Sequence, residues 1–169
     1  QSLRELVSVL IGQFPASFPG VDCVSLACVD TEYELTRLLE QGADPAPAGF
    51  VPLYAGKFDD LLPAGRRPYL GACTAELQKM FFPSCAKPLS SVAIAPLMLH
   101  GRMIGAFNQG SVEAQHFTPA CATDLLEHLA AVTAMCIDNA VNRERLRRDG
   151  LTDALTGVAN RRFFERRLR

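Results

Sequence analysis

The sequence lacks any hydrophobic run of the ~18 to 20 residues that a helix needs to cross a bilayer. Its longest apolar stretch, around residues 92–99, has the length of a strand. The first apolar stretch contains Arg4 and Glu5, and no small-residue cleavage site follows it, so we expect no signal peptide. These absences favour a cytoplasmic protein with no membrane segment.

No CxxC motif occurs, although the chain has six cysteines. The absence argues against zinc sites and thioredoxin-like redox motifs of that spacing. A domain of this size also needs no disulfide bonds. We therefore expect no metal site and reduced cysteines that pack as small hydrophobic residues, with Cys23 and Cys28 on opposite faces of one strand.

Positive charge is scarce in most of the chain. Residues 1–142 carry a net charge of −6, whereas residues 143–169 carry +5. Such a change indicates a domain boundary. A basic tail could bind nucleic acid, but we favour a solvated helix surface joined to a domain with an anionic substrate, and we expect no nucleic-acid partner.

Hydrophobic periodicity predicts the elements of the first half. Helical spacing over residues 3–14 predicts a helix, and the alternation over 22–30 predicts a strand. Residues 33–39 fit either a second strand or a short helix. A loop is expected over 41–49 and a helix over 75–82.

A β-hairpin is the clearest structural signal. Two apolar runs within residues 91–111 flank His100-Gly101, which is a two-residue turn signal. With Leu99 opposite Arg102, the register predicts a face of mostly small residues, formed by the pairs Leu97–Ile104, Ala95–Ala106 and Ala93–Asn108. The opposite face then carries Val92, Ile94, Met98, Met103, Phe107 and Gln109. Pro96 falls opposite Gly105, where we expect an edge or a bulge.

The bulky face of this hairpin either fills a core or lines a ligand cavity. In the second case the predicted walls of the pocket are Tyr54, Tyr69, Phe81, Ile94, Phe107 and Gln109. In the first case the domain is a dimerising spacer without a ligand. The Arg66-Arg67 pair beside Tyr69 could recognise an anion such as a nucleotide, although solvated surface is the favoured interpretation.

A long helix is predicted near the C-terminus. Thr118 is the expected N-cap, and the helix runs over residues 119–148, about 45 Å at 1.5 Å per residue. Its predicted apolar stripe is Leu125, Leu126, Leu129, Val132, Cys136, Ile137 and Val141. Beyond residue 141 the helix is too polar for one core. We therefore expect a homodimer formed through the N- and C-terminal helices.

The order of helix, strand, irregular middle, hairpin and long helix resembles a GAF domain. More narrowly, residues 1–140 are similar to a GAF-like family of unassigned ligand through Arg67-Pro68-Tyr69-Leu70-Gly71, Leu77, Phe81-Phe82 and Ser90-Ser91-Val92-Ala93 to Pro96-Leu97. The resemblance implies an α+β fold of the GAF/PAS type. It also implies an antiparallel sheet of about six strands flanked by helices, with a pocket for an unknown small molecule and a long C-terminal signalling helix.

Residues 151–164, LTDALTGVANRRFF, resemble the opening of GGDEF domains, whose pattern is D-x-L-T-G-L-x-N-R-R-x-F. GGDEF domains condense two GTP molecules into cyclic di-GMP with Mg²⁺, so the resemblance implies these for the parent protein. The family's glycine-paired hairpin is missing, since no Gly-Gly dipeptide occurs. We therefore expect no catalysis from this fragment. The resemblance gives signal-coupling roles to Asp153, Leu155, Thr156, Gly157, Asn160 and Arg161.

Together these patterns predict a sensory domain over 1–140, a signalling helix and linker over 141–152, and a truncated GGDEF start over 153–169. The expected function is regulation and dimerisation of a diguanylate cyclase. Two alternatives remain open: a cysteine-based GAF reductase of free methionine sulfoxide using Cys73 or Cys85, and the GAF module of a transcription regulator. The three histidines are unclustered, so a haem or tetrapyrrole ligand is not favoured.

Overall fold

Five helices and five strands make up the described part of the chain. In the computed structural model the described residues are 2–40, 43–54, 62 and 66–150, with the backbone alone described at 148 and 149. The elements, in chain order, are α1 (Leu3–Gly12), α2 (Phe14–Ser17), β1 (Cys23–Val29), α3 (Glu34–Leu39), β2 (Phe50–Leu53), β3 (Tyr69–Ala72), α4 (Ala75–Phe81), β4 (Ser91–Leu99), β5 (Arg102–Ser111) and α5 (Asp124–Asp149).

The strands form one mixed sheet in the order β2-β1-β5-β4-β3. The α+β class is confirmed, but the described residues form five strands rather than six, and the sheet is not wholly antiparallel. Strand β2 runs parallel to β1, whereas the other three pairs are antiparallel. The connection from β1 to β2 contains α3, and a long helical connection can return the chain to run in the same direction.

Local capping explains where the helices begin. At α1, Ser2 and Glu5 form a capping box, and at α4 the Thr74 hydroxyl accepts a hydrogen bond from the Leu77 N–H. The ambiguous segment 33–39 is a helix, because the Asp30 carboxylate accepts hydrogen bonds from two backbone N–H groups of its first turn. These bonds compensate for the helical partners that a first turn lacks.

The β4–β5 hairpin forms at the predicted turn but in a different register. His100 and Gly101 both have positive φ, 48° and 75°, as a type I′ turn requires. Met98 pairs with Met103, but Leu97 then pairs with Gly105, so Ile104 is an extra residue in a bulge. The predicted bulge is confirmed, one residue from its expected place. The predicted pairs Leu97–Ile104, Ala95–Ala106 and Ala93–Asn108 are wrong.

Close packing explains the glycine next to the bulge. A Cβ at Gly105 would lie 2.2 Å from the Ala27 carbonyl oxygen of β1. The bulge reverses the faces of the following β5 residues. Phe107 and Gln109 therefore share a face with Ala93 and Ala95 rather than with Ile94.

The sheet separates two core layers. The upper face, which is covered by α1 and α5, buries Val24, Leu26, Cys28, Ala93, Ala95, Leu97 and Phe107. The lower face, which is covered by α4, buries Ala27, Val51, Val92, Ile94 and Ala106. The hairpin thus contributes side chains to both cores.

Helix α5 begins later than predicted, at Asp124 rather than Pro119. The carbonyl of the predicted cap, Thr118, instead accepts a hydrogen bond from the Cys121 N–H in a separate turn. The buried stripe is also different, since it contains Leu126, Ala130, Thr133, Ala134 and Ile137. Two predicted members of the stripe, Leu125 and Val132, are 62% and 44% exposed.

Small residues in the buried stripe let α5 approach the sheet closely. Apolar residues occur on two sides of this helix, and the side that packs against the sheet is the one that contains the alanines. Among the described residues, no helix is long and apolar enough to span a membrane.

Cysteine pairing also departs from expectation. Cys23 at the start of β1 and Cys85 in the segment after α4 form a disulfide bond. Cys28, Cys73, Cys121 and Cys136 are free thiols. The expectation of reduced cysteines is therefore wrong for this pair, which the fold brings together across 62 residues of chain.

Candidate functional site

The structure does not bring the six predicted pocket residues together. Phe81 and Ile94 are fully buried below the sheet, whereas Phe107 is fully buried above it, in edge contact with Phe14. Gln109 shares the upper face with Phe107. The hairpin bulge is the reason, because it moves these two β5 side chains across the sheet.

The two predicted tyrosines lie away from the buried members. Tyr69 of β3 pairs with Ile94 and donates its hydroxyl to the Ala72 carbonyl. Tyr54 is 58% exposed, and its hydroxyl lies 2.6 Å from that of Tyr33. Of the six predicted residues, Tyr69, Phe81 and Ile94 thus lie below the sheet, and Phe107 and Gln109 lie above it.

A large cavity lies instead at the start of α5. Strand β3 pairs with β4 only as far as Ile94, so beyond that residue none of the described residues pairs with this edge of β4. The cavity has a volume of about 560 Å³. It is lined by Arg66, Arg67, Pro68, Ala95, Pro96, Met98, Thr123, Glu127, Ala130 and Ala131.

The charges around this α5 cavity favour an anionic ligand. Two exposed guanidinium groups, those of Arg66 and Arg67, stand on one wall, and the positive end of the α5 dipole lies on the other. The one acidic wall residue, Glu127, accepts a hydrogen bond from the Thr123 hydroxyl. The volume falls within the ~300 to 1,000 Å³ typical of small-molecule sites.

An ion pair ties the far half of α5 to α3. The Arg145 guanidinium donates two hydrogen bonds to the Glu34 carboxylate, with Nε–Oε1 at 2.9 Å and Nη2–Oε2 at 2.7 Å. This pairing raises the pKa of Arg145. Asp30 positions α3, as described above. The ion pair borders a second cavity of about 550 Å³ between α3, β5 and α5.

Two buried polar side chains are paired on the lower face of the sheet. Ser25 on β1 donates a hydrogen bond to the Phe81 carbonyl at the end of α4 and accepts one from Asn108 Nδ2 at 3.1 Å. Asn108 Oδ1 is buried without a hydrogen-bond partner in the described part of the chain. Such a group weakens a core, because its desolvation is not compensated.

A cleft opens beside this polar pair. It has a volume of about 220 Å³, and its lining includes Ser25, Ser84 and both half-cystines, Cys23 and Cys85. Sequence reasoning missed this grouping. The two cysteines come from distant segments, and no spacing motif marks them.

The free thiols differ in their ionisation. Burial raises the pKa of the Cys28 thiol to about 12, and it also raises the pKa of Cys73. Hydrogen bonds from Thr118 lower the pKa of Cys121, which lies in the turn before α5. Cys73 is therefore a poor nucleophile as it stands.

The remaining predicted sites divide into two groups. No three His, Cys, Asp or Glu side chains of the described residues are grouped so that they could hold a metal ion. The predicted signal-coupling residues, Asp153, Leu155, Thr156, Gly157, Asn160 and Arg161, lie outside the described residues.

Fold and cavities together define an α+β domain in which helix α5 borders the α5 cavity near its start and the cavity beside α3 in its second half. The family model described as "Protein of unknown function, DUF484" matches residues 58–142, about half of the chain. The chain belongs to this family. A search of the curated proteins found no match.

Proposed function

We propose that this chain is the sensory and dimerising region of a diguanylate cyclase and has no catalytic activity of its own. The observation that carries the proposal is the LTDALTGVANRRFF segment, residues 151–164, with its resemblance to the opening of GGDEF domains. Helix α5 leads directly into this segment, so a change in α5 would reach the coupling residues. A five-stranded sheet with flanking helices fits a GAF-like sensor.

The α5 cavity supports a sensory role. A ligand there would contact both the sheet and the first two turns of α5, so its binding energy would differ between two positions of the helix. The chemical class that fits is a small anion with phosphate or carboxylate groups, which arginine side chains bind in bidentate fashion.

Anion binding is tested by the melting temperature of the 169-residue chain with GMP, GTP, pyrophosphate and citrate as probes. A ligand at 100 times its dissociation constant adds ~2.7 kcal/mol of stability. We expect a shift with at least one probe and its loss in the double variant Arg66→Ala/Arg67→Ala. Variant Arg102→Ala is the matched control. A shift that persists without the two arginines would place the site elsewhere.

Dimerisation would use the outer face of α5. Leu125, Val132 and Leu146 are 62%, 44% and 73% exposed and follow one another at multiples of seven residues, with Asn139 at the intervening heptad position. A heptad repeat of apolar residues pairs helices, and a single asparagine in the seam selects a two-stranded state. We propose a second copy of this chain as the partner.

The oligomeric state is measured by sedimentation of the chain at micromolar concentration. We expect a dimer, and we expect the double variant Val132→Glu/Leu146→Glu to be a monomer. A monomeric wild-type chain at these concentrations would refute the dimer.

The cyclase assignment is tested on the natural protein that carries this segment. We expect it to convert GTP and Mg²⁺ to cyclic di-GMP, with the metal and nucleotide held by residues beyond those described here. A natural protein that forms no cyclic di-GMP, or that lacks the acidic ligands and the glycine-paired hairpin after residue 169, would overturn the assignment.

A further inference from the structure

We propose that Cys23 and Cys85 form a reversible thiol–disulfide site that exchanges with small disulfides and thiols of the glutathione class. The proposal has a second part, that this exchange regulates α5, and this part rests on the function proposed above. The site combines a disulfide bond with a cleft that reaches it, next to the segment after α4.

The Cys23–Cys85 disulfide is accessible from the solvent. Both half-cystines are partly exposed, and both line the 220 Å³ cleft at the start of β1. The other walls include the side chains of Ser25, Ser84 and Asp22. A disulfide that small thiols can reach is more easily reduced than one sealed in a core, and exposed disulfides are the regulatory ones.

The other cysteines of the chain are free thiols. Four further cysteines of the same chain are unpaired, and three of them are partly exposed. A bond confined to one pair is not the pattern of a disulfide-stapled scaffold. Where cellular thiols are kept reduced, such a bond forms on oxidation and is removed by reductants.

Glutathione alone supplies the atoms and electrons that the exchange reaction needs. In the reduced state one cysteine thiolate attacks oxidised glutathione, which forms a mixed disulfide and releases one glutathione. The second cysteine thiolate then displaces the second glutathione and closes the bond. Two electrons pass from the protein to the glutathione disulfide, and the two thiol protons end on the two released glutathione molecules. Reduction is the reverse reaction.

The disulfide is one of several contacts that hold the segment after α4. Lys87 forms an ion pair with Asp22 at 2.8 Å, in which the lysine side chain is 59% exposed, and the Ser84 hydroxyl donates to the Ala48 carbonyl at the surface. The Gln78 side chain of α4 also bonds the Lys87 carbonyl and the Leu89 N–H, and the Leu89 side chain is buried. The two exposed contacts contribute little stability, so we expect loss of the covalent bond to loosen the residues around Cys85.

Contacts of Asp22 connect the segment after α4 to the end of β5, from which the chain continues to α5. Asp22, next to Cys23, also accepts a hydrogen bond from the Val112 N–H at 2.9 Å, just after β5. The following residues, 113–123, connect β5 to α5. Loosening of the segment after α4 would therefore act on the strand end from which α5 departs.

The exchange is tested by redox titration of the 169-residue chain in glutathione buffers, with alkylation of free thiols and mass spectrometry of the peptides. We expect the Cys23 and Cys85 peptides to lose and regain alkylation together, while Cys73, Cys121 and Cys136 stay alkylated throughout. Variants Cys73→Ser and Cys121→Ser are controls and should titrate like the wild type. A bond that resists excess reduced glutathione in the folded chain, or that does not re-form with oxidised glutathione, overturns the proposal.

The structural effect is measured by amide hydrogen exchange of the oxidised and reduced wild-type chain. We expect exchange over residues 75–90 to be roughly tenfold faster on reduction, equivalent to ~1.4 kcal/mol of local opening free energy. Helix α1 is the internal control and should not change. Unchanged amide hydrogen exchange at residues 75–90 would reject the proposal that the thiol–disulfide exchange regulates α5. Neither readout involves cyclic di-GMP, so failure of the cyclase assignment would be seen separately.

A variant locked in the reduced form completes the test. The double variant Cys23→Ser/Cys85→Ser should show the exchange pattern of the reduced wild type. Should this variant fail to fold, the circular dichroism of the reduced wild-type chain decides the matter. If the reduced chain is folded, the proposed redox switch stands. If the reduced chain is unfolded, the disulfide bond only stabilises the fold, and the proposal is rejected.

Discussion

The upper face of the sheet is covered by two helices, whereas the lower face has its own apolar core under one short helix, with the hydrogen-bonded pair Ser25–Asn108 and a disulfide bond. Above the sheet, α1 and α5 pack in one continuous core around Phe107. Below it, α4 buries Leu77 and Phe81, its last carbonyl accepts a hydrogen bond from Ser25, and the Cys23–Cys85 bond follows just beyond it. Because a short helix is more easily detached than two packed helices, we expect the lower layer to open more readily than the upper one.

The largest expected effect breaks the upper layer. Phe107→Ala leaves a cavity in the upper core next to Phe14 of α2, and the free energy of unfolding should fall by ~3 to 5 kcal/mol. Denaturant titration measures the loss. Phe18→Ala is the matched control, because Phe18 is 39% exposed and its truncation should cost under ~1 kcal/mol. Equal losses in the two variants would contradict the packing described here.

A smaller effect is expected from the lower layer. Ser25→Ala removes the donor to the Phe81 carbonyl and the acceptor for Asn108 Nδ2, and it leaves both groups buried. We expect a loss of ~1 to 3 kcal/mol in the same denaturant titration. Ser84→Ala, at an exposed hydrogen bond, should change little. A neutral Ser25→Ala would mean that water replaces the hydroxyl.

The ion pair at the end of α5 should contribute less to stability. Glu34→Gln and Arg145→Gln, combined in a double-mutant cycle, should give a coupling of ~0.2 to 1 kcal/mol because the arginine is 59% exposed. Near 1 M salt the screening length is ~3 Å, and the coupling should disappear. A coupling that is large and insensitive to salt would show that this pair is effectively buried.

The smallest expected effect is a dependence on acid. Hydrogen bonds from Lys87 and the Val112 N–H hold the pKa of Asp22 below its ordinary value of 3.8. Its contribution to stability is therefore present above pH 3.8 and lost as the pH falls through the lower native pKa. Asp22→Asn should flatten the acid limb of the curve of unfolding free energy against pH. An unchanged limb would contradict this assignment.

Local signals in the sequence predicted local structure well. Alternation predicted β1, periodicity predicted α1, and His100-Gly101 predicted the hairpin turn. The sequence also suggested a bulge through Pro96 and Gly105. Each of these depends on the conformations of neighbouring residues, which composition and spacing reveal.

Features set by distant packing could not be predicted in the same way. The hairpin register depends on the contact between Gly105 and β1, and the buried side of α5 depends on the fit of Ala130 and Ala134 to the sheet. The Cys23–Cys85 bond depends on the whole fold. The α5 cavity had one sequence signal, the Arg66-Arg67 pair, for which solvated surface was the favoured interpretation.

The central claim is that α5 couples the sensor to a cyclase. Its most direct test is the rate of cyclic di-GMP formation by the natural protein carrying Glu34→Arg, alone and together with Arg145→Glu. Our account predicts that the single reversal changes the rate several-fold and that the charge swap restores it, while the reversal Glu144→Arg within α5 has no effect. A rate that ignores the reversal, or that the swap does not restore, would contradict it.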